Sequence, residues 1–387
     1  MTAKLTFFPV GNGDMTLVVL ESGRRVLIDV NIRAAADDHD DDTPNVAEQL
    51  RDRLERDSSG RLFVDAFLLS HPDEDHCRGL TNHFHLGLPA DWSKSADRIF
   101  IREIWSSPMV FRRASKNHVL CNDAVAFCSE ARRRVKKFRD TGGVVGDGDR
   151  ILILGEDEDG KTDDLEAILI RVDEQFNRIN GQYDATLTAR LLAPQPKSDD
   201  DEEEMRSKNH SSTILNLSLM GGGVADVCRF LTGGDAEVAI WERLWDRHFE
   251  HHADWLSYDI LQAPHHCSWH SLSYQSWGEN GDEAIVCEDA KSALGQAREG
   301  ALIVASSKPI KDDGIDPPCI GAKHEYQSIL EEVNGVFKCV GEHPTEKAPE
   351  PLEYEINHNG PKPKARVMAA ASVFGAGIIG RQPLGHG

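Results

Sequence analysis

No apolar run in this chain reaches the roughly 18 residues that a membrane-crossing helix needs, so the sequence predicts no span. The eight cysteines never fall as CxxC pairs, which argues against both a zinc ribbon and a disulfide framework. No secretory leader is recognisable, since Met1 to Lys4 runs straight into a strand-like segment. A cytoplasmic, reducing location is the resulting expectation. Internal repeats are absent by eye. The chain also lacks an excess of base: 43 Lys and Arg face 65 Asp and Glu, a net charge of −22. An acidic surface repels polyanions and excludes non-specific coating of nucleic acid, although a locally basic groove stays open. What is present is ordinary for a globular protein. The 387 residues are 40% apolar and 28% charged, enough for one large domain or two smaller ones.

The most informative stretch is Ser70-His71-Pro72-Asp73-Glu74-Asp75-His76. His71, Asp73, Asp75 and His76 crowd into six residues directly after Phe63 to Leu69, an apolar run that reads as a buried strand. A strand ending in His and Asp presents them from a rigid element, and imidazole nitrogen with carboxylate oxygen suits divalent zinc or manganese. The bland alternative is a solvated acidic turn with incidental histidines.

Around it, strands are predicted over Leu5 to Val10, Met15 to Leu20, Arg24 to Val30, Ile99 to Trp105, Asp149 to Leu154 and Thr186 to Leu192. Further strands are predicted over Thr213 to Leu219, Val227 to Leu231, Ile260 to Ala263 and Ala301 to Ala305. Helices are expected over Asn45 to Asp57, from Cys77 to His83, and over Cys121 to Arg139, Ala236 to Phe249 and Ala322 to Val333. Asp37 to Asp42 and Ser198 to Glu204 read as acidic loops, and Glu156 to Asp164 as a loop or insertion. This pattern suits two sheets packed face to face with helices outside. Polar residues recur at strand ends (Asp29, His71 to His76, Asp235, His265), and loops at one edge of a sandwich converge in space.

These residues also carry a family pattern. The chain resembles the metallo-β-lactamase-fold hydrolases, in particular the branch that includes the soluble domain of the competence protein ComEC. The shared features are Val10-Gly11-Asn12-Gly13-Asp14, Leu27-Ile28-Asp29, the H-x-D-x-D-H set His71, Asp73, Asp75 and His76, and Asn209-His210-Ser211-Ser212. They continue with Thr232-Gly233-Gly234-Asp235 and Pro264-His265-His266-Cys267-Ser268. The resemblance covers roughly residues 4 to 358. It departs from the family pattern at Asn31, at an extra Gly234, and at Cys267 where Gly is usual, the last of which narrows the backbone freedom of that turn.

The resemblance implies an α/β fold, a metallo-β-lactamase-type αββα sandwich of two mixed sheets. It implies two divalent ions, zinc or manganese with magnesium possible. His71 and Asp73 would hold one, and Asp75 and His76 the other together with His265 or His266. Asp235 would bridge the two, and Asp75 and Asp235 would be the catalytic carboxylates. The third ligand of the first ion stays open among His210, Asn209, Ser211 and water. Asp14, Asp29, Asn209 and Ser211 would orient loops and ligands, with a plain turn residue as the alternative for Asp14. Asp73 stands where His is commoner, and oxygen ligands shift preference towards manganese or magnesium. Two ions lower the pKa of a shared water and neutralise charge on a phosphoryl oxygen.

A phosphodiesterase or nuclease is therefore the leading expectation. A small phosphodiester (a cyclic nucleotide or phosphorylcholine ester), a lactone or a thioester are alternatives, as is a regulatory or binding module without chemistry. Arg132 to Arg139 is the most basic run. It is either a solvated face or a phosphate track through Arg133, Lys136 and Lys137, extended by Arg112, Arg113 and Lys116. The hydrolase domain is expected over 1–360. Residues 361–387 are expected to be a polar, proline-bearing linker and an apolar Gly-rich tail, which either frays or docks on the core or a protein partner.

Overall fold

Alternation along the strands decides the layering. In the computed structural model, which describes residues 1–37, 41–112, 119–195 and 208–364, Val26 and Ile28 point to one side of a sheet while Leu27 points to the other. Ala66 and Leu68 against Phe67 and Leu69 do the same, as the two-residue period of a strand requires. A sheet apolar on both faces must be covered on both faces.

The first sheet takes β1 (Ala3–Phe7), β2 (Thr16–Val19), β3 (Arg25–Ile28), β4 (Leu62–Leu68), β5 (Ile99–Ser106), β6 (Arg150–Leu154) and β7 (Leu169–Ile170). The second takes β8 (Gln175–Phe176), β9 (Leu187–Ala193), β10 (Ile214–Gly221), β11 (Val224–Leu231), β12 (Tyr258–Gln262), β13 (Ala297–Ala305) and β14 (Val336–Cys339). The chain then returns to the first sheet, where β15 (Leu352–Asn357) pairs antiparallel with β1 and β16 (Gly360–Pro363) with β15. Both sheets are mixed. β3 to β7 run parallel in one, and β11 to β14 in the other.

Three apolar cores make four layers. One lies between the sheets, where Phe7 and Phe230 meet edge to face with ring centroids 5.7 Å apart. The helix Asn122–Asp140 covers the first sheet through Phe127 and Ala131. The helices Val238–His248, Glu288–Leu294 and Ile320–Glu331 cover the second through Trp241, Ala290 and Tyr326. The protein is thus an αββα sandwich, as the strand and helix pattern predicts. No helix among the described residues is long and apolar enough to cross a membrane.

Four local expectations need correction. The first helix stops at Arg51 rather than Asp57, because Glu55 and Arg56 give their backbone to an antiparallel pair with Phe63 and Leu62. The helix expected from Cys77 is broken into Glu74–Cys77 and Leu80–His83. Between them Gly79 has φ 88°, its N–H donates to Asp123, and a Cβ there would lie 2.8 Å from Ile32. Part of the segment expected to be a loop forms 3-10 turns at Glu158–Gly160 and Asp163–Ile168. Residues 361–364 are not a linker: they continue the β15–β16 ladder, and Lys364 bonds Glu353 through both backbone and ammonium. The acidic run 198–204 and the apolar tail from 365 lie outside the described residues.

Candidate metal centre

The sheets deliver their polar residues to one edge. Asp29 follows β3, Ser70 to His76 follow β4, Asp235 follows β11, and His265 and His266 follow β12. Each therefore leaves the carboxyl end of a parallel strand. Asp14, in the loop ahead of β2, joins them, because its N–H donates to the Asp75 carbonyl at 3.2 Å.

Asp235 lies at the centre, 3% exposed. Its Oδ1 is 2.8 Å from His76 Nε2 and 3.5 Å from His266 Nε2, and His266 Nε2 is 3.3 Å from Asp75 Oδ2. Its Oδ2 is 3.9 Å from both His71 Nε2 and His265 Nε2, and His71 Nε2 is 3.1 Å from Asp73 Oδ2. One carboxylate thus faces two sets of donors. In the first set, atoms of Asp75, His76, Asp235 and His266 all lie within 4.8 Å of one another, a group that can hold a metal ion. Paired histidines that the sequence left as alternatives are both present, one beside each oxygen.

A supporting layer holds these rings. Asp29 Oδ2 lies 2.9 Å from His76 Nδ1, which turns Nε2 towards Asp235. Asp29 has φ 55° and accepts from the N–H of Ser70 at 2.7 Å and from its hydroxyl. The Asp235 N–H donates to Ser212 Oγ at 3.1 Å. Gly13 N is 3.2 Å from His266 Nδ1, and Asp14 Oδ1 is 3.5 Å from that nitrogen. Gly13 tolerates no side chain: at φ 138° a Cβ would lie 2.0 Å from Asn31 Nδ2 and 2.7 Å from the Asp75 carbonyl. Asn31 fills that space and donates to the Asn12 carbonyl. His265, His266 and Cys267 take φ of 50°, 55° and 70° in succession. Each such residue costs on the order of 1–3 kcal/mol, and strain of this kind gathers at functional sites. Cys267 thus adopts a left-handed backbone that Gly takes more readily.

Burial disfavours charge on all these groups, yet opposite charges outweigh it at four. His76 and His266 hold the Asp235 carboxyl well below the ordinary range, and His266 and His76 also lower Asp75. Asp235 and Asp29 raise His76 well above its usual value, and Asp235, Asp14 and Asp75 raise His266 to about 10. At Asp29 burial prevails and the pKa is raised. Without a cation the set is an imidazolium–carboxylate network, in which a metal would replace protons. His71 Nδ1 and His265 Nδ1 are buried without a hydrogen bond. Buried polar atoms are costly when unmet, and imidazole with carboxylate is a donor set for divalent ions. The residues fit a metal.

Asn209, His210 and Ser211 precede the strand that faces the centre. Asn209 bonds Glu237, and His210 Nε2 is 3.9 Å from the same carboxylate. Ser211 is buried beside Ser212, which is the residue that reaches Asp235. Ser70 and Ser212 lie inside the quoted motifs, but their residue type alone gave neither of them a role. His85 bonds the Leu88 carbonyl and His252 stacks on Trp255 at 3.9 Å, away from the centre.

The basic run meets carboxylates, in keeping with the solvated face rather than the phosphate track. Arg133 pairs with Glu130 and Asp149, Arg139 with Asp164, and Lys136 with Asp140. Arg134, 1% exposed, bonds Glu130 and the carbonyls of Ile101 and Arg150 near the starts of β5 and β6. The metal ligands leave the opposite ends of the parallel strands, and a 19-residue helix is about 28 Å long. Arg133, Lys136 and Lys137 therefore do not line the centre. Arg112 pairs with Asp157, and Arg113 and Lys116 lie outside the described residues.

No protein-family model matches the chain, and no curated protein matches it. Among solved structures it is similar to unliganded yeast PDE1, at 10% identity over 88% of this chain and 97% of that chain, with a TM-score of 0.37. That likeness is too loose to bear on the site.

Proposed function

We propose that this chain is a metal-dependent phosphodiesterase of the metallo-β-lactamase-fold type, close to the ComEC-like branch its motifs resemble. The observation that carries the reading is the double-faced Asp235, with His76, His266 and Asp75 near Oδ1 and His71, Asp73 and His265 around Oδ2. These sets would hold two divalent ions. When bound, such ions supply a nucleophile from water near neutral pH and neutralise charge on a phosphoryl oxygen. The chain's own part is placement. Asp29 fixes the His76 ring, Ser212 the Asp235 backbone, and Gly13 with Asp14 the His266 ring. Asp73 makes the donor set oxygen-rich, so manganese should support activity at least as well as zinc. Eight free cysteines suit a reducing, cytoplasmic setting.

The internal pairing of the basic helix favours a small phosphodiester over a long polynucleotide. The test is a panel on metal-loaded protein: bis(4-nitrophenyl) phosphate, cyclic nucleotides, a phosphorylcholine ester, single- and double-stranded DNA, RNA, a lactone and a thioester. An Asp75→Ala control runs beside it. Turnover confined to phosphodiesters and lost in the control supports the reading; turnover of only the lactone or thioester, or of nothing, rejects it.

A further inference from the structure

A cleft of 610 Å³ opens beside the centre, and Asp73 and Asp75 line it together with Arg33, Arg78 and Lys308. Three cations on the wall of a carboxylate-bearing cleft need an explanation in a chain of net charge −22. Arg78 has one, because its Nε lies 3.1 Å from Glu74. Arg33 and Lys308 make no ion pair among the described residues. Asp41 feels the Arg33 charge, but its carboxylate accepts from the Thr43 N–H at 2.7 Å.

The Arg33 guanidinium and the Lys308 stem approach one point. The point where Gly11 would carry a Cβ is 3.8 Å from the Arg33 guanidinium (Cζ and Nη2) and 3.8 Å from Lys308 Cγ. They come from distant parts of the chain, Arg33 from beyond β3 and Lys308 from beyond β13, and a built contact holds them there. Asn12 Oδ1 accepts the Lys308 N–H at 3.1 Å, Asn12 Nδ2 donates to the Pro317 carbonyl at 2.8 Å, and the Asn12 carbonyl accepts from Asn31. Two residues on from Gly11, Gly13 N touches His266. Two residues span at most roughly 7 Å, so the cation pair sits one small-molecule length from the metal ligands. Two cationic side chains on the wall of one open cleft favour an anion between them, and the guanidinium fork matches phosphate or carboxylate oxygens.

We propose that Arg33 and Lys308 form a subsite for a second anionic group of the substrate, one that is not cut. The substrate class is then a small phosphodiester carrying a further phosphate or carboxylate about one sugar's length from the scissile ester. This rests on the phosphodiesterase reading of the centre and adds the feature that selects among phosphodiesters.

The test compares binding of thymidine 3′,5′-bisphosphate and thymidine 5′-monophosphate to the metal-loaded full chain by calorimetry. An Arg33→Met/Lys308→Met variant is measured in parallel, its metal content and Tm serving as the check on folding. Wild type should prefer the bisphosphate by about tenfold, the scale of one or two charged hydrogen bonds, and the variant should lose most of that preference. A wild-type ratio near one, or a ratio that survives in a folded, metal-loaded variant, overturns the subsite. Turnover of bis(4-nitrophenyl) phosphate separates the two ideas. A protein that cleaves it yet binds both nucleotides alike lacks the subsite only. One that cleaves no phosphodiester but keeps a ratio dependent on both cations has the subsite and a different reaction.

Discussion

At the scale of single residues, Asp235 and Asp29 do different work and are told apart by what their oxygens meet. Asp235 is the carboxylate shared between two donor sets, so Asp235→Ala should lose bound metal and all hydrolysis together. Elemental analysis and a phosphodiesterase assay check this, and an active, metal-replete variant rejects the shared role. Asp29 stands outside the two proposed donor sets and meets His76 at Nδ1. Partners of this kind set ring orientation and basicity, and their loss typically weakens metal affinity about 10- to 100-fold. Asp29→Asn should therefore need that much more metal for half-saturation while keeping its fold. Unchanged metal affinity would mean that Asp29 merely shapes the β3 turn.

At the scale of elements, the helix Asn122–Asp140 shows what a string of letters leaves open about a charge pattern. Six basic residues within eight positions suggest a phosphate track, but the helix spends two of them on its own footing. Glu130, 3% exposed, binds both Arg133 and the buried Arg134. Removing one partner of a buried ion pair strands the other, at about 3–5 kcal/mol. Glu130→Ala should thus destabilise the protein by about 3 kcal/mol in urea unfolding at pH 7. Burial works against the Glu130 charge, but Arg133 and Arg134 outweigh it and lower the pKa below its ordinary 4.5. A carboxyl lowered in the folded state contributes its stability above the unfolded value and loses it as pH falls through the folded one. The gap between wild type and variant should therefore narrow below pH 4.5. A gap that stays constant with pH would reject the ion-pair origin.

At the scale of the whole molecule, the site joins the two sheets. Asp29 and the 71–76 stretch come from the first, Asp235 and the paired histidines from the second. An ion held between them couples the halves of the sandwich. Ligand present at 1,000 times its Kd adds about 4 kcal/mol. Chelation should therefore lower Tm measurably, and manganese or zinc should restore it. An unchanged Tm in a protein shown to have lost its metal would mean that the ions bind without bracing the sheets.

What the sequence alone determined is what is local or periodic. The crowding of His71, Asp73, Asp75 and His76, the strands that precede each polar cluster and the layered αββα order were all legible, because side-chain period and short spacing are written along one element. The tertiary structure decided what depends on distance between remote residues. It put His265 and His266 beside different oxygens of Asp235, set Ser212 against the Asp235 backbone, brought β15 and β16 back beside β1, and tied the basic helix to Glu130, Asp149 and Asp164. It also set Arg33 against Lys308 across Gly11. Register, turn geometry and the competition of carboxylates for each cation settle such pairings, and none of these is a property of a residue's neighbours in the chain.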